Sequence, residues 1–303
     1  MTGKYAGGYE TQKISGVKTG GLGTDTAAIK LSAIEDLGGG LTAAASVSIG
    51  GMARGSITTG EDASVSLSGA YGTFALRSFE SAGQGITARA AAGAPGYDLH
   101  GRVFSSNVNV DGAFLTFPKF GDVTFGLSYV DRGTVDEYGD ELSNGLNAGS
   151  KGVASAQPSV GVSAGYKTGA IDAGIDFTSW TRQGDVQVTK PYADNRVRIS
   201  GNYDFGFAKF GAGYSKTDRT GALKSTTETL IGLSTPIGAM TIGATYGESK
   251  GNAESSTAKK TGYTLGAQYD LSKRTNMGVS SFSYKTVGSQ ANTGFRALVA
   301  HTF

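Results

Sequence analysis

Side chains able to hold or move charge are few in this chain, and their types narrow the chemistry. Two histidines occur, His100 and His301, and cysteine is absent. Without a thiol there is no zinc-thiolate site, no cysteine nucleophile and no disulfide. A hydroxyl nucleophile needs an activating base within hydrogen-bond reach, and two isolated histidines are a poor source of one. No Asp/Glu cluster has metal-ligand spacing, and no GxxxxGK[ST] phosphate loop exists. No catalytic, cofactor or metal residue is therefore assigned. What remains is a set of charges at alternating positions: Lys4, Lys30, Arg77, Arg196, Arg198, Lys209 and Arg296 against Glu10, Asp111, Asp172, Asp176 and Glu228. Charges set around a wet passage select ions of the opposite sign, and low-dielectric walls focus their field. With Arg77, Arg196, Arg198 and Arg296 at its narrowest part, such a passage would mildly prefer anions. The plainer reading, that these charges only keep a wall hydrated, stands beside it.

The other polar tips fall in one stretch, residues 81–107, SAGQGITARAAAGAPGYDLHGRVFSSN. It mixes small residues (Ala90, Ala91, Ala92, Gly93, Ala94) and a Pro95-Gly96 turn with Arg89, Asp98, His100 and Arg102. It is too long for a hairpin connection, and structureless connections beyond about 12–15 residues are uncommon unless they are functional or disordered. The expectation is a loop that folds into a channel and constricts it. The alternative is a mobile surface loop, with His100 merely solvated.

The elements that must position these residues are strands. With 303 residues, 49 glycines, 5 prolines and 10% aromatics, the composition is neither collagen-like nor plainly disordered. A formal net charge of +2 gives no footprint for nucleic acid. No apolar run is long enough for a transmembrane helix, as expected if strands cross with one face to lipid and one to water. Met1-Thr2-Gly3-Lys4 leads straight into an alternating segment, so the chain reads as a mature one carrying an added start methionine, the alternative being a protein that is not secreted.

Alternation with period two is the strand signal. Tyr5, Gly7 and Tyr9 alternate with Lys4, Ala6 and Glu10, and a glycine-rich loop is expected from there to Thr24. Ala27-Ile29-Leu31-Ala33, Ala43-Ala45-Val47-Ile49, Val65-Leu67-Tyr71 and Phe74-Leu76 follow, then residues 81–107. The rhythm resumes through Val123-Phe125-Leu127-Tyr129, Val160-Val162-Ala164-Tyr166, Ile171-Ala173-Ile175-Phe177, Val197-Ile199-Tyr203 and on to Phe295-Ala297-Val299-His301-Phe303. Roughly sixteen strands result, with connections strictly alternating short and long, as in outer-membrane barrels. One half-face is free of charge, with aromatics near strand ends (Tyr9, Tyr71, Tyr129, Tyr166, Tyr203, Tyr214, Tyr246, Tyr269, Phe303), where amphipathic rings meet the membrane boundary. An all-β, antiparallel transmembrane barrel over residues 1–303 is the expected fold, as one domain. A soluble β protein with an aromatic core is the alternative.

Specific segments carry a family resemblance. Glu35-Asp36-Leu37-Gly38-Gly39-Gly40-Leu41 resembles the EDLGGGL turn of Gram-negative general porins, especially the β-proteobacterial type. Gly69-Ala70-Tyr71-Gly72-Thr73 resembles their GxFGT turn, Tyr269-Asp270-Leu271-Ser272-Lys273-Arg274-Thr275 their YxLSKRT turn, and Val299-Ala300-His301-Thr302-Phe303 their C-terminal strand. The resemblance implies a sixteen-stranded, homotrimeric outer-membrane channel in contact with lipid and lipopolysaccharide, its third external loop folded into the lumen. Ions and small hydrophilic solutes would diffuse through it, with no cofactor and no reaction. The candidate pore-lining residues are Arg77, Arg89, Asp98, His100, Arg102, Asp111, Arg196, Arg198, Lys209 and Arg296. A substrate-specific channel, with a saturable site among Arg77, Arg89, Arg102 and the lumen arginines, is the alternative. An outer-membrane enzyme or adhesin barrel is another.

Overall fold

In the computed structural model of the chain, the described residues are 1–52, 58–81, 99, 102–104, 108–133, 158–181, 193–219, 225–252 and 255–303. They form sixteen strands: β1 (Thr2–Ile14), β2 (Val17–Gly38), β3 (Leu41–Gly50), β4 (Thr59–Gly69), β5 (Gly72–Ser81), β6 (Val108–Thr116), β7 (Val123–Gly133) and β8 (Ser159–Thr168). Then come β9 (Ile171–Trp180), β10 (Ala193–Asp204), β11 (Lys209–Arg219), β12 (Ser225–Ile237), β13 (Met240–Asn252), β14 (Ser255–Asp270), β15 (Thr275–Thr286) and β16 (Asn292–Thr302). Each strand pairs antiparallel with its sequence neighbours, and β1 pairs with β16, so the sheet closes on itself. At the seam Gly3 N–H donates to the Phe303 carbonyl (2.8 Å) and Phe303 N–H returns the bond to Gly3 (2.9 Å). Closure leaves no unpaired edge, which is what lets backbone cross hydrocarbon on strands.

Residues directly opposite in a ladder share a face, and neighbours along a strand do not. Leu31 pairs with Val47, and Ala45 with Val65; Leu31, Val47 and Val65 are each nearly half exposed. The same holds for Phe125, Leu127, Ile175, Phe177, Ile199, Ile231, Leu233 and Leu265. A water-soluble fold would bury such a continuous apolar band; here it forms the exterior. Tyr9, Tyr129, Tyr214, Tyr246 and Tyr263 share the exterior parity toward one rim, and Tyr5, Tyr166, Tyr203, Tyr269 and Phe303 toward the other. These are the two aromatic girdles of a membrane barrel. Among the described residues, no helix is long and apolar enough to cross a membrane.

Two expectations need correction. The glycine-rich segment before Thr24 is strand, not loop: Lys18 through Thr24 pair with Lys13 through Gly7 around the two-residue turn Ser15-Gly16. Both turn residues have positive φ (49° and 86°), the geometry whose twist matches a hairpin. Backbone pairing with β1 overrides the weak strand preference of Gly20, Gly21 and Gly23. The Ser15-Gly16 turn also means that connections at that rim are not uniformly long. The opposite rim carries the tight turns, including Gly38 to Gly40, all at positive φ.

Candidate functional site

The interior face of the barrel is polar and assembled from the alternate residues of every strand. On β9 to β12 it holds a charge cluster. Arg198 stands directly across from Asp176, and its Nε donates to both carboxylate oxygens at 2.8 and 3.0 Å. Arg196, two residues away on the same face, lays its guanidinium 5.2 Å above the Trp180 ring. Arg219 Nε donates to Thr226 Oγ1 at 2.8 Å. Arg196 has Arg198, Arg219, Asp176 and Glu228 as its charged neighbours, so three guanidinium groups meet two carboxylates on this wall. Arg219 and Trp180 are additions to the sequence-derived set; their parity with Ser215 and Asp176 was the signal available. Asp172, lower on the same face of β9, pairs with Lys167 at 3.2 Å.

A second charge cluster lies on the opposite wall. Arg296 on β16 faces Glu10 on β1. Its Nε and Nη2 donate to Glu10 Oε2 at 3.1 and 2.9 Å, and Nη2 lies 3.0 Å from Asp25 Oδ1 on β2. One guanidinium thus serves two carboxylates. β1 and β9 are eight places apart in a ring of sixteen, so these clusters face each other across the barrel.

Arg77 on β5 faces inward beside Gly112, with its guanidinium 5.6 Å above the Phe114 ring. Phe79 meets Phe114 edge to face at 5.5 Å. Lys209 is interior too, at the tight-turn rim, 3.7 Å from Asp204. Asp111 does not belong to this set. It pairs with Ser78 and shares the face of Ala113, the partner of exterior Leu76, because the phase of β6 is set by Ala113 and Leu115 turning outward. Arg89, Asp98 and His100 lie outside the described residues.

Within residues 81–107, Leu99 and Arg102 to Phe104 are described between the strand ends Ser81 and Val108. They rest on interior residues of β12 to β15. Leu99, Val103 and Phe104 form one buried apolar cluster with Leu230, flanked by Tyr284. Full burial of such side chains stabilises by about 1.5–3 kcal/mol each. Ser249 Oγ–H donates to the Val103 carbonyl at 2.6 Å, and the Arg102 guanidinium lies over Phe282 (5.1 Å) and Tyr284 (5.9 Å). His301, by contrast, is on the exterior at the tight-turn rim, with Nδ1 2.9 Å from Thr275 Oγ1. Among the described residues no group of His, Asp or Glu could hold a metal ion.

A closed barrel, apolar outside and charged inside, defines a transmembrane channel of the outer membrane. The sequence profile of the Gram-negative porins matches residues 1–288, and the chain belongs to that family. It is a porin, placed in the outer membrane. No curated protein matches the sequence. Solved structures share the fold. An outer-membrane protein of Vibrio cholerae, OmpT lacking loop L8, superposes with a TM-score of 0.70 at 10% identity, covering 100% of this chain and 98% of that one. A variant of the Rh. blastica porin gives a TM-score of 0.69 at 16% identity, covering 100% and 99%.

Proposed function

We propose that this porin is a passive diffusion channel with a mild preference for small anions, constricted by residues 81–107 and carrying out no reaction. The observation that carries the preference is the cluster around Arg196, where Arg196, Arg198 and Arg219 outnumber Asp176 and Glu228. Arg296 is neutralised by Glu10 and Asp25 and so adds little. Guanidinium groups held over rings, as Arg196 over Trp180 and Arg77 over Phe114, keep their charge at a defined place in the passage. That is the arrangement a static selectivity field needs. The segment packed on β12 to β15 supports the constriction, since its stem lies on the far side of the barrel at β5 and β6.

Planar-bilayer conductance under a salt gradient tests this reading. A zero-current potential of anion-selective sign supports it, and a cation-selective one overturns it. Closure in three equal steps would report the homotrimer expected for this family.

Lipopolysaccharide is the lipid partner this surface suits. Lys250 and Lys259 are directly opposite in the β13–β14 ladder, on the exterior parity beyond Tyr246 and Tyr263. Like charges so placed repel. Glu248 offsets one of them, 2.8 Å from Lys259, and anionic phosphate at headgroup level would balance the other.

A further inference from the structure

We infer that Leu99, Val103 and Phe104 form an apolar clasp that bolts the constriction to the wall at β12 to β15, and that Gly247 and Gly262 are the positioning residues that seat it. This deepens, and rests on, the reading of residues 81–107 as the constriction.

The seat is made of missing side chains. A β-carbon on Gly247 would stand 2.6 Å from Phe104 Cζ and 2.8 Å from Leu99 Cδ1. One on Gly262 would stand 2.7 Å from Val103 Cγ2. These separations are well inside van der Waals contact, so any residue but glycine forces the side chains of the clasp out of their present seat. The two glycines lie across the ladder from each other, and Ser249, two residues along, supplies a polar tie to the Val103 carbonyl. The fit is therefore by shape at two positions and by a hydrogen bond at a third.

Burial agrees with this seat. Ser249, the donor to the Val103 carbonyl, is 2% exposed, although a small polar residue on the inner wall of an open pore would be wetted. Leu99, Val103 and Phe104 are buried to the same degree, as expected if each surface covers the other. Passage is then confined to the remaining part of the cross-section, and Arg102, held over Phe282 and Tyr284, is the charge that the clasp brings to its edge.

The seat is tested by filling it at Gly247, where the three nearest atoms to an added β-carbon all belong to the clasp. In the folded porin, Gly247→Val should displace Leu99 and Phe104 and admit oligosaccharides that wild type excludes. Ser163→Val, on the inner face of β8, should leave the size limit unchanged. An unchanged size limit in a folded, conducting Gly247→Val porin overturns the clasp while leaving the porin reading intact. A wild-type protein that conducts nothing overturns the porin reading whatever the variant shows. Should Gly247→Val fail to fold, Phe104→Ser asks the same question. It should admit oligosaccharides that wild type excludes, and an unchanged size limit overturns the proposal.

Discussion

Arg198 and Asp176 face each other directly across the β9–β10 ladder, with Arg198 Nε sharing its proton between both carboxylate oxygens at 2.8 and 3.0 Å. Each therefore hides the other from a passing ion, and removing either one uncovers its partner. Asp176→Asn should shift the reversal potential toward anions, and Arg198→Gln toward cations. One unit charge about 10 Å from the ion path in water is worth about 0.4 kcal/mol to each ion, with opposite sign for anion and cation, or about a fourfold change in permeability ratio. Equal and same-signed shifts from the two variants would sink this account.

Arg196 lies over the Trp180 ring and among Arg198, Arg219, Asp176 and Glu228. Arg196→Gln removes one cation from a cluster where cations are in excess, so it should move the reversal potential toward cations. Trp180→Ala should broaden current noise at unchanged mean selectivity, as the guanidinium loses its support. An unchanged potential in Arg196→Gln removes this residue from the selectivity wall.

Arg296 closes the seam as well as lining it. Its partners Glu10 and Asp25 come from the other end of the chain, so Arg296→Gln leaves two carboxylates without their shared cation. The pairs are partly exposed, which limits the stability cost to about 1 kcal/mol or less. The expected result is a small fall in thermal midpoint in detergent together with a clear cation shift in conductance. A large loss of stability with no cation shift would contradict it.

Thr264 is fully buried, and its Oγ1 has no hydrogen-bond partner among the described residues. A buried hydroxyl without a partner costs about 1–3 kcal/mol. Thr264→Val keeps the branched shape and removes that cost, so its thermal midpoint should equal or exceed that of wild type. A lower midpoint would mean that the hydroxyl is satisfied.

Lys250 and Lys259 should govern lipopolysaccharide retention. A Lys250→Gln, Lys259→Gln variant should copurify with less of it than wild type, and added salt should weaken the wild-type association, as for exposed charges generally. Retention unchanged in the variant would place the lipid contact elsewhere.

Much of this protein is local, and local patterns are legible in sequence. Alternation announced most strands, because neighbours along a strand must face opposite ways. The same parity separated lipid-facing Leu31 and Val47 from water-facing Arg196 and Arg198. The turn from Gly38 to Gly40 was readable because positive φ favours glycine. Only the tertiary structure decided the rest. Lys18 through Thr24 are strand because β1 lies beside them, a fact their glycines conceal. Asp111 is outside because the packing of Ala113 and Leu115 sets the phase of β6. The meetings of Arg296 with Glu10 and Asp25, and of Val103 with Gly262, join residues far apart in the chain. Closure and register bring them together, and a periodic pattern records which face a residue occupies but not what stands opposite.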